Sequence, residues 1–188
     1  MSNFQKDGLW VQGGSANLAN VSEDTPYVAG QLGKVMGIRR DNGQKQPQFF
    51  QYVQRYSTDS ETLVAGHPVY WVDLDDFVVS GESTDCLGGT TNPIVAGVAL
   101  GASPAANKYG FIQVGGIASV AVTDTVVAGD RLQLANNPQF KTLATVAITS
   151  QAVAVPVAPE TFGFAIGAVT TSTDSAITAQ LQVFRNGW

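Results

Sequence analysis

Thr62-Leu63-Val64-Ala65-Gly66-His67-Pro68-Val69-Tyr70-Trp71 is written a second time, in altered letters, as Thr125-Val126-Val127-Ala128-Gly129-Asp130-Arg131-Leu132-Gln133-Leu134. In each copy apolar residues run into a glycine and two polar or turn residues follow. Apolar side chains then alternate: Val69 and Trp71 in the first copy, Leu132 and Leu134 in the second. Alternation with a period of two marks a strand with one covered face. Gly66 and Gly129 stand where a turn needs positive φ, a region that residues with a Cβ resist. Each copy therefore reads as a turn feeding a strand.

The match continues downstream. Gly97-Val98-Ala99-Leu100-Gly101 answers to Gly163-Phe164-Ala165-Ile166-Gly167, and Phe111-Ile112-Gln113-Val114 to Gln180-Leu181-Gln182-Val183. The offsets are 63 (62 to 125), 66 (97 to 163) and 69 (111 to 180), so the order is kept and the spacing drifts by a few residues. Val-Ala-Gly is a common phrase in so Ala/Val/Gly-rich a chain, but three matches in one order argue for an internal duplication. The expected fold is all-β: a barrel or sandwich built from two duplicated antiparallel β units, at about 60–116 and 117–184. These make up a domain over 59–188, preceded by an extended N-terminal arm (1–30) and a β-hairpin (31–58).

The 188 residues fit one domain, or two small halves sharing a core. A chain of this length buries roughly 70% of its unfolded surface and needs no covalent staple. It is 44% hydrophobic and only 13% charged, about half the usual charged share. Such a balance points to large covered β faces, some of them covered by other chains. The net charge of -5 argues against a general nucleic-acid binder, which needs a basic footprint. A single cysteine, Cys86, makes no intramolecular disulfide, and no apolar run is long enough for a membrane span. The first residues, Met1-Ser2-Asn3-Phe4-Gln5-Lys6-Asp7-Gly8, lack the apolar stretch of a secretion signal, so use or assembly in a cytoplasm is expected.

The arm contains loop chemistry, Gly13-Gly14-Ser15 and Ser22-Glu23-Asp24-Thr25-Pro26, around Phe4, Leu9, Trp10 and Val11, which show little regular pattern. Such a segment is frayed or docked on a neighbour. Trp10 either anchors that contact or fills the chain's own core. The hairpin follows: Lys34–Arg40, an Asn42-Gly43 turn, and Gln48–Tyr56. On the return strand Phe50, Tyr52 and Tyr56 share one face, and Phe49, Gln51, Val53 and Arg55 the other, so both faces are expected to be covered. Lys34, Arg39, Arg40, Lys45 and Arg55 are five of the ten basic residues. The next stretch is acidic: Asp59, Glu61, Asp73, Asp75, Asp76, Glu82 and Asp85. The two blocks either make head-to-tail contacts between copies or are solvated surfaces of one molecule.

Strands are expected at Val69–Asp73, Phe77–Val79, Ile94–Leu100, Gly110–Val114, Ile117–Val122, Arg131–Leu134, Phe162–Val169 and Ile177–Phe184. No segment shows a capped helical period. Ala144–Pro159, with Pro156 and Pro159, is an edge or loop.

The chemistry of catalysis is sparse. The only histidine, His67, has Asp130 as its counterpart in the second copy, which marks a turn position. Cys86 lies among acidic neighbours rather than the positive ones that activate a thiol. Asp73, Asp75 and Asp76 could give a hard cation two ligands, but the Gly and closing Glu of a loop site are missing. Gly88-Gly89 and Gly115-Gly116 open onto no helix carrying Lys-Ser/Thr. No catalytic, metal or cofactor-binding residue is assigned, and a non-enzymatic protein is expected.

Val127-Ala128-Gly129-Asp130-Arg131-Leu132-Gln133-Leu134, preceded by Gly110-Phe111-Ile112-Gln113-Val114-Gly115-Gly116-Ile117-Ala118-Ser119-Val120, resembles the small β-barrel capsid decoration proteins of tailed bacteriophages, also called cement or head-stabilising proteins. In that family a Gly-hydrophobic-x-hydrophobic strand leads to an Ala-Gly-Asp turn and an apolar strand, then to a Gly-x-Ala strand and a closing strand. Here the last two are Gly163-Phe164-Ala165-Ile166-Gly167 and Gln180–Phe184. The resemblance covers about 60–184, and His67-Pro68 departs from it where Asp is usual.

The resemblance implies a structural virion protein, often a homotrimer, bound to the outer surface of an icosahedral capsid after assembly in the host cytoplasm. Its partners would be the major capsid protein and itself, with no nucleic acid, membrane or cofactor. Contacts to capsid and neighbours are expected from Phe4, Trp10, Arg39, Arg40 and Trp188. Open sheet edges could join by strand addition. An alternative is a receptor- or carbohydrate-binding β module of a phage head spike or fibre, with Tyr52, Tyr56, Tyr70 and Trp71 stacking on sugars. A small β-barrel enzyme using His67 or the Asp73–Asp76 cluster is a third.

Overall fold

Tyr109–Val122 is one unbroken strand of 14 residues, where the glycine pair at 115–116 had suggested two. Gly116 takes a φ of +81°, and the chain bends there without leaving the sheet. The carbonyls exposed by the bend are bound by two buried amides. Gln113 Nε2 donates to Gly115 O (3.2 Å) and Ile117 O (2.9 Å), and Gln48 Nε2 also donates to Ile117 O. Main-chain acceptors hidden from water need such partners.

The computed structural model describes residues 4–6, 9–11, 32–39, 47–58, 62–90, 93–101, 104–135, 140–142, 163–170 and 175–182. Its strands are β1 (Phe4–Lys6), β2 (Leu9–Val11), β3 (Val35–Arg39), β4 (Pro47–Arg55), β5 (Pro68–Asp73), β6 (Val78–Ser80), β7 (Val95–Ala99), β8 (Tyr109–Val122), β9 (Arg131–Leu134), β10 (Phe140–Thr142), β11 (Gly163–Ala165) and β12 (Ser175–Gln182). No helix occurs among the described residues. The protein is all-β, as expected. β1 and β2 form a two-stranded sheet, and the other strands a single ten-stranded one.

That sheet closes twice on β8. Its first half pairs with β7 and β4, and the circuit β4–β6–β5–β7–β8 returns to β4. Its second half pairs with β12 and β10, and the circuit β8–β10–β9–β11–β12 returns to β8. Two five-stranded rings thus share one strand. Each ring is antiparallel except for one parallel pair, β4 with β6 and β8 with β10. An odd closed ring cannot alternate direction all the way round, so at least one like-directed pair is unavoidable.

The rings match pair for pair. Val69 faces Gly97 as Leu132 faces Gly163; Trp71 faces Val79 as Leu134 faces Phe140; Ala99 faces Ile112 as Ala165 faces Ala179; Arg55 faces Val79 as Val122 faces Phe140. Offsets of 63 from β5 to β9 and 66 from β7 to β11 agree with the sequence repeat. The last offset is 67 (Ile112 to Ala179), not 69. A two-residue slip leaves every side chain on its own face, so alternation could not detect it. The hairpin's return strand, β4, is the first ring's counterpart of the second half of β8 rather than a separate element.

Alternation sorts the side chains into cores. Val53, Val69, Trp71, Val79, Ala96, Ala99, Ile112 and Val114 pack in the first ring. Val120, Val122, Val126, Leu132, Phe140, Ile177, Ala179 and Leu181 pack in the second. Tyr70, Val95 and Val98, on the opposite face of β5 and β7, join the second cluster and bind ring to ring. Each fully buried Val, Leu, Ile or Phe among them contributes roughly 1.5–3 kcal/mol. Phe50, Tyr52 and Phe111 form a third buried group with Leu32, Leu100 and Tyr109, so both faces of β4 are covered as the sequence indicated. Gly97 and Gly163 occupy equivalent sites at which an added Cβ would collide with the carbonyl of the facing strand, that of Gln113 in one ring and of Gln180 in the other.

Candidate functional site

The closed rings leave little backbone available for a partner. Among the described strands of the large sheet, only β3 has a single neighbour, β4. Open edges carry unpaired N–H and C=O groups and accept added strands. Lys34 and Val35, at its start, are exposed. Arg39 is its last residue, facing Pro47 across the ladder.

Of the other expected contact residues, Phe4 lies in β1 and pairs with Val11, while Trp10 lies in β2 and pairs with Gln5. This part of the arm, which showed little pattern in sequence, is a short antiparallel hairpin. Arg40 and Trp188 lie outside the described residues, as do Lys45 and the Asn42-Gly43 turn. Arg55 does not belong to a basic surface. It is 5% exposed and its Nη1 donates to Pro104 O at 3.1 Å.

The residues weighed for chemistry have structural duties. His67 N–H donates to Val64 O (3.0 Å) and His67 O accepts from Ala99 N (2.9 Å), fixing the repeated turn. Asp73 Oδ1 accepts from the N–H of Asp75 (2.9 Å) and Asp76 (3.1 Å), closing the exposed β5–β6 turn on itself. That turn ends at Phe77, whose φ is +53° and whose ring meets Trp71 edge-on at 6.3 Å. Cys86 is buried and its thiol donates to Ser83 O (2.9 Å). Burial pushes the thiol upward, away from thiolate reactivity. Burial, with Cys86 nearby, also pushes the Tyr70 hydroxyl up to about 12.

Three of the four aromatics considered for sugar stacking are inaccessible: Tyr52, Tyr70 and Trp71 are 1%, 2% and 8% exposed. Alternation along β4 and β5 turns them into the cores, and only Tyr56 is half-exposed.

The structure adds the exposure of one of the two repeated turns, which the motif marked only as a turn. The turn at Val127–Asp130 is held internally by Asp130 N to Val127 O (3.0 Å), Val127 N to Asp130 Oδ2 (2.8 Å) and Gly129 N to Ala165 O (2.8 Å). Beside it Val127 and Ile166 are 59% and 48% exposed. Composition cannot show this, because the same residue types in the first copy meet different neighbours.

No protein-family model matches the chain, and no curated protein does. Among solved structures the fold is similar to the N base of the head fibre gp8.5 in bacteriophage phi29, at 12% identity and a TM-score of 0.43, over 75% of this chain and 99% of that one.

Proposed function

We propose that the chain is a non-enzymatic structural virion protein that binds the outer surface of an icosahedral phage capsid, as a homotrimer, and cements neighbouring major capsid protein subunits. The observation that carries this reading is the string of residues behind the decoration-protein resemblance. Gly110–Val120 lies on β8, Val127–Asp130 forms the turn, and Arg131–Leu134 is β9. Gly163–Ala165 and Ser175–Gln182 follow as paired strands. This is the strand–turn–strand order that the resemblance implies. Low charge and the single pairing of β3 among the described strands support it further. Many weak copies of one contact would hold a shell together by avidity.

The test is the copy number in gradient-purified particles, read by quantitative peptide mass spectrometry. Hundreds of copies in fixed ratio to the major capsid protein support cementing. A handful would favour the alternative, a receptor-binding module of a head spike or fibre, and absence would remove both. Removal of residues 1–25 is expected to leave the rings folded and to abolish particle binding. Wild-type occupancy by the truncated chain would exclude the arm as the contact.

A further inference from the structure

Phe77 holds a backbone conformation that its side chain resists. Its φ of +53° lies in the left-handed region, where an aromatic residue is an outlier. The other non-glycine residue there, among those described, is Asn107, a type that tolerates it. Such strain persists only where the surroundings over-determine it. Counted back from Phe140, the repeat counterpart of Val79, the second copy has Pro138 in the place of Phe77. Proline is confined to negative φ, so the conformation belongs to the first ring and not to the shared plan. The first ring is also the one that carries β3; the second shows no counterpart of that strand among the described residues.

Two elements meet at Phe77. On its own side, the Asp73-capped turn leads into it, its carbonyl accepts from Gln54 N (3.0 Å), and its ring leans on Trp71. On the other side the ring fills the place where a Cβ on Gly33 would stand. Gly33 itself has a φ of +81° and is fastened to β4: its N–H donates to Tyr52 O (2.7 Å), and its carbonyl accepts from Gln51 Nε2 (2.8 Å). Residues 32–34 are where the N-terminal chain joins the body. Leu32 packs beside Phe50 and Tyr52, and Lys34 O accepts from Tyr52 N (3.3 Å) before β3 begins.

We propose that Phe77 is a latch on Gly33: its ring pins the root of the N-terminal arm to the first ring, so that load on the arm passes into the β5–β6 turn and Trp71. Without the latch that load falls on β3 alone. β3 belongs to neither closed circuit and pairs with β4 only, among the described strands. Its far end adds little, because Arg39 faces Pro47, which has no N–H to donate. A strand held by one neighbour peels from its end, pair by pair, and a pull from the N-terminal side starts at Gly33. The missing Cβ of Gly33 lets the ring close over that end, and the strain at Phe77 is the conformation that aims the ring there. The latch is independent of what the arm binds. It deepens the proposed function, and there rests on that reading, by naming how an arm fixed to a shell would hold the body.

The experiment is native-state trypsin cleavage after Lys34, which is exposed, read by mass spectrometry on the full chain. Phe77→Asn removes the ring and keeps a residue that tolerates the turn; Gly33→Ala keeps the ring and crowds it. Each is expected to speed that cleavage by about tenfold or more, through local opening of β3. Amide exchange of Val35–Arg39 should rise with it, while exchange in β9, β11 and β12 stays at the wild-type rate. The double variant is expected to be cleaved no faster than the faster single one, since both changes break one contact. Wild-type cleavage in either single variant overturns the proposal. So does an equal rise of exchange in β9, β11 and β12, which would make Phe77 a support of the whole fold, and so do effects that multiply in the double variant. If Phe77→Asn is cleaved faster yet keeps wild-type occupancy on particles, the latch stands and the arm falls as the shell contact. If it is cleaved at the wild-type rate but leaves the particles, the latch is overturned and the capsid reading stands.

Discussion

Where the first ring buries Gly66 against Ser119–Ala121, the second leaves Gly129 in open solvent. Where the first has Tyr70, 2% exposed and packed on its neighbour, the second has a half-buried Gln133. Inside, Val79 and Ile112 of one ring correspond to Phe140 and Ala179 of the other, a small-and-large pair exchanged for a large-and-small one. What duplication preserved is the pairing scheme. Identity drifted between equivalent core positions, and exchanges that roughly conserve volume are the ones cores tolerate best. The outer faces diverged further: one ring is packed on the other through Tyr70, Val95 and Val98, and no such packing occurs at the second ring's matching face among the described residues.

The comparison breaks first if the rings are independent. Phe140→Ala is expected to cost about 3–5 kcal/mol. Because β8 belongs to both circuits, urea unfolding followed by fluorescence and circular dichroism should show one transition. Two separated transitions would mean that each ring stands alone. Next in size are Gly97→Ala and Gly163→Ala, each expected to cost about 1–3 kcal/mol by pressing a methyl on a facing carbonyl. A large inequality between them would show that the rings yield differently at equivalent sites.

The turns sharpen it further. Gly66→Ala is expected to cost about 2 kcal/mol, from positive φ and crowding together, and Gly129→Ala about 1 kcal/mol, from φ alone. Equal losses in urea midpoints would cancel the claimed difference in seating. Tyr70 gives a pH test. Its ordinary value is 10.0 and burial raises it to about 12 in the fold, so its contribution is complete below pH 10 and falls away as pH rises through 12. Tyr70→Phe should flatten the stability profile in that window, and Gln133→Leu should not. The smallest effect, about 0.5–1 kcal/mol, is expected for Asp130→Ala, which removes the acceptor for Val127 N–H in a solvent-facing turn.

The repeat was legible because a period of two with glycine at a fixed place survives drift: Val69 and Trp71, Leu132 and Leu134 all entered cores or their margins. Three things were not legible. The slip of two residues between β8 and β12 leaves alternation unchanged. The continuity of β8 depends on Gln48 and Gln113 binding the bent backbone from a distance in sequence. The matching of Gln51–Arg55 to Ala118–Val122 left no shared letters except one valine, because the first strand is covered on both faces and the second borders another ring. Of the candidate contact residues, Arg39 ends β3, which has a single neighbour among the described strands, and nothing in the sequence marked Ile166 as exposed. An exposed isoleucine and a buried one read alike until the neighbours are known.

A shared strand also sets an order of events during synthesis. All that the first ring requires, from β4 to the bend at Gly116, leaves the ribosome before any residue of β9. If it closes then, the rest of β8 emerges as an extended stub already anchored at one end. The later strands add to a fixed template instead of searching as free coil, which shortens the loops that must be closed.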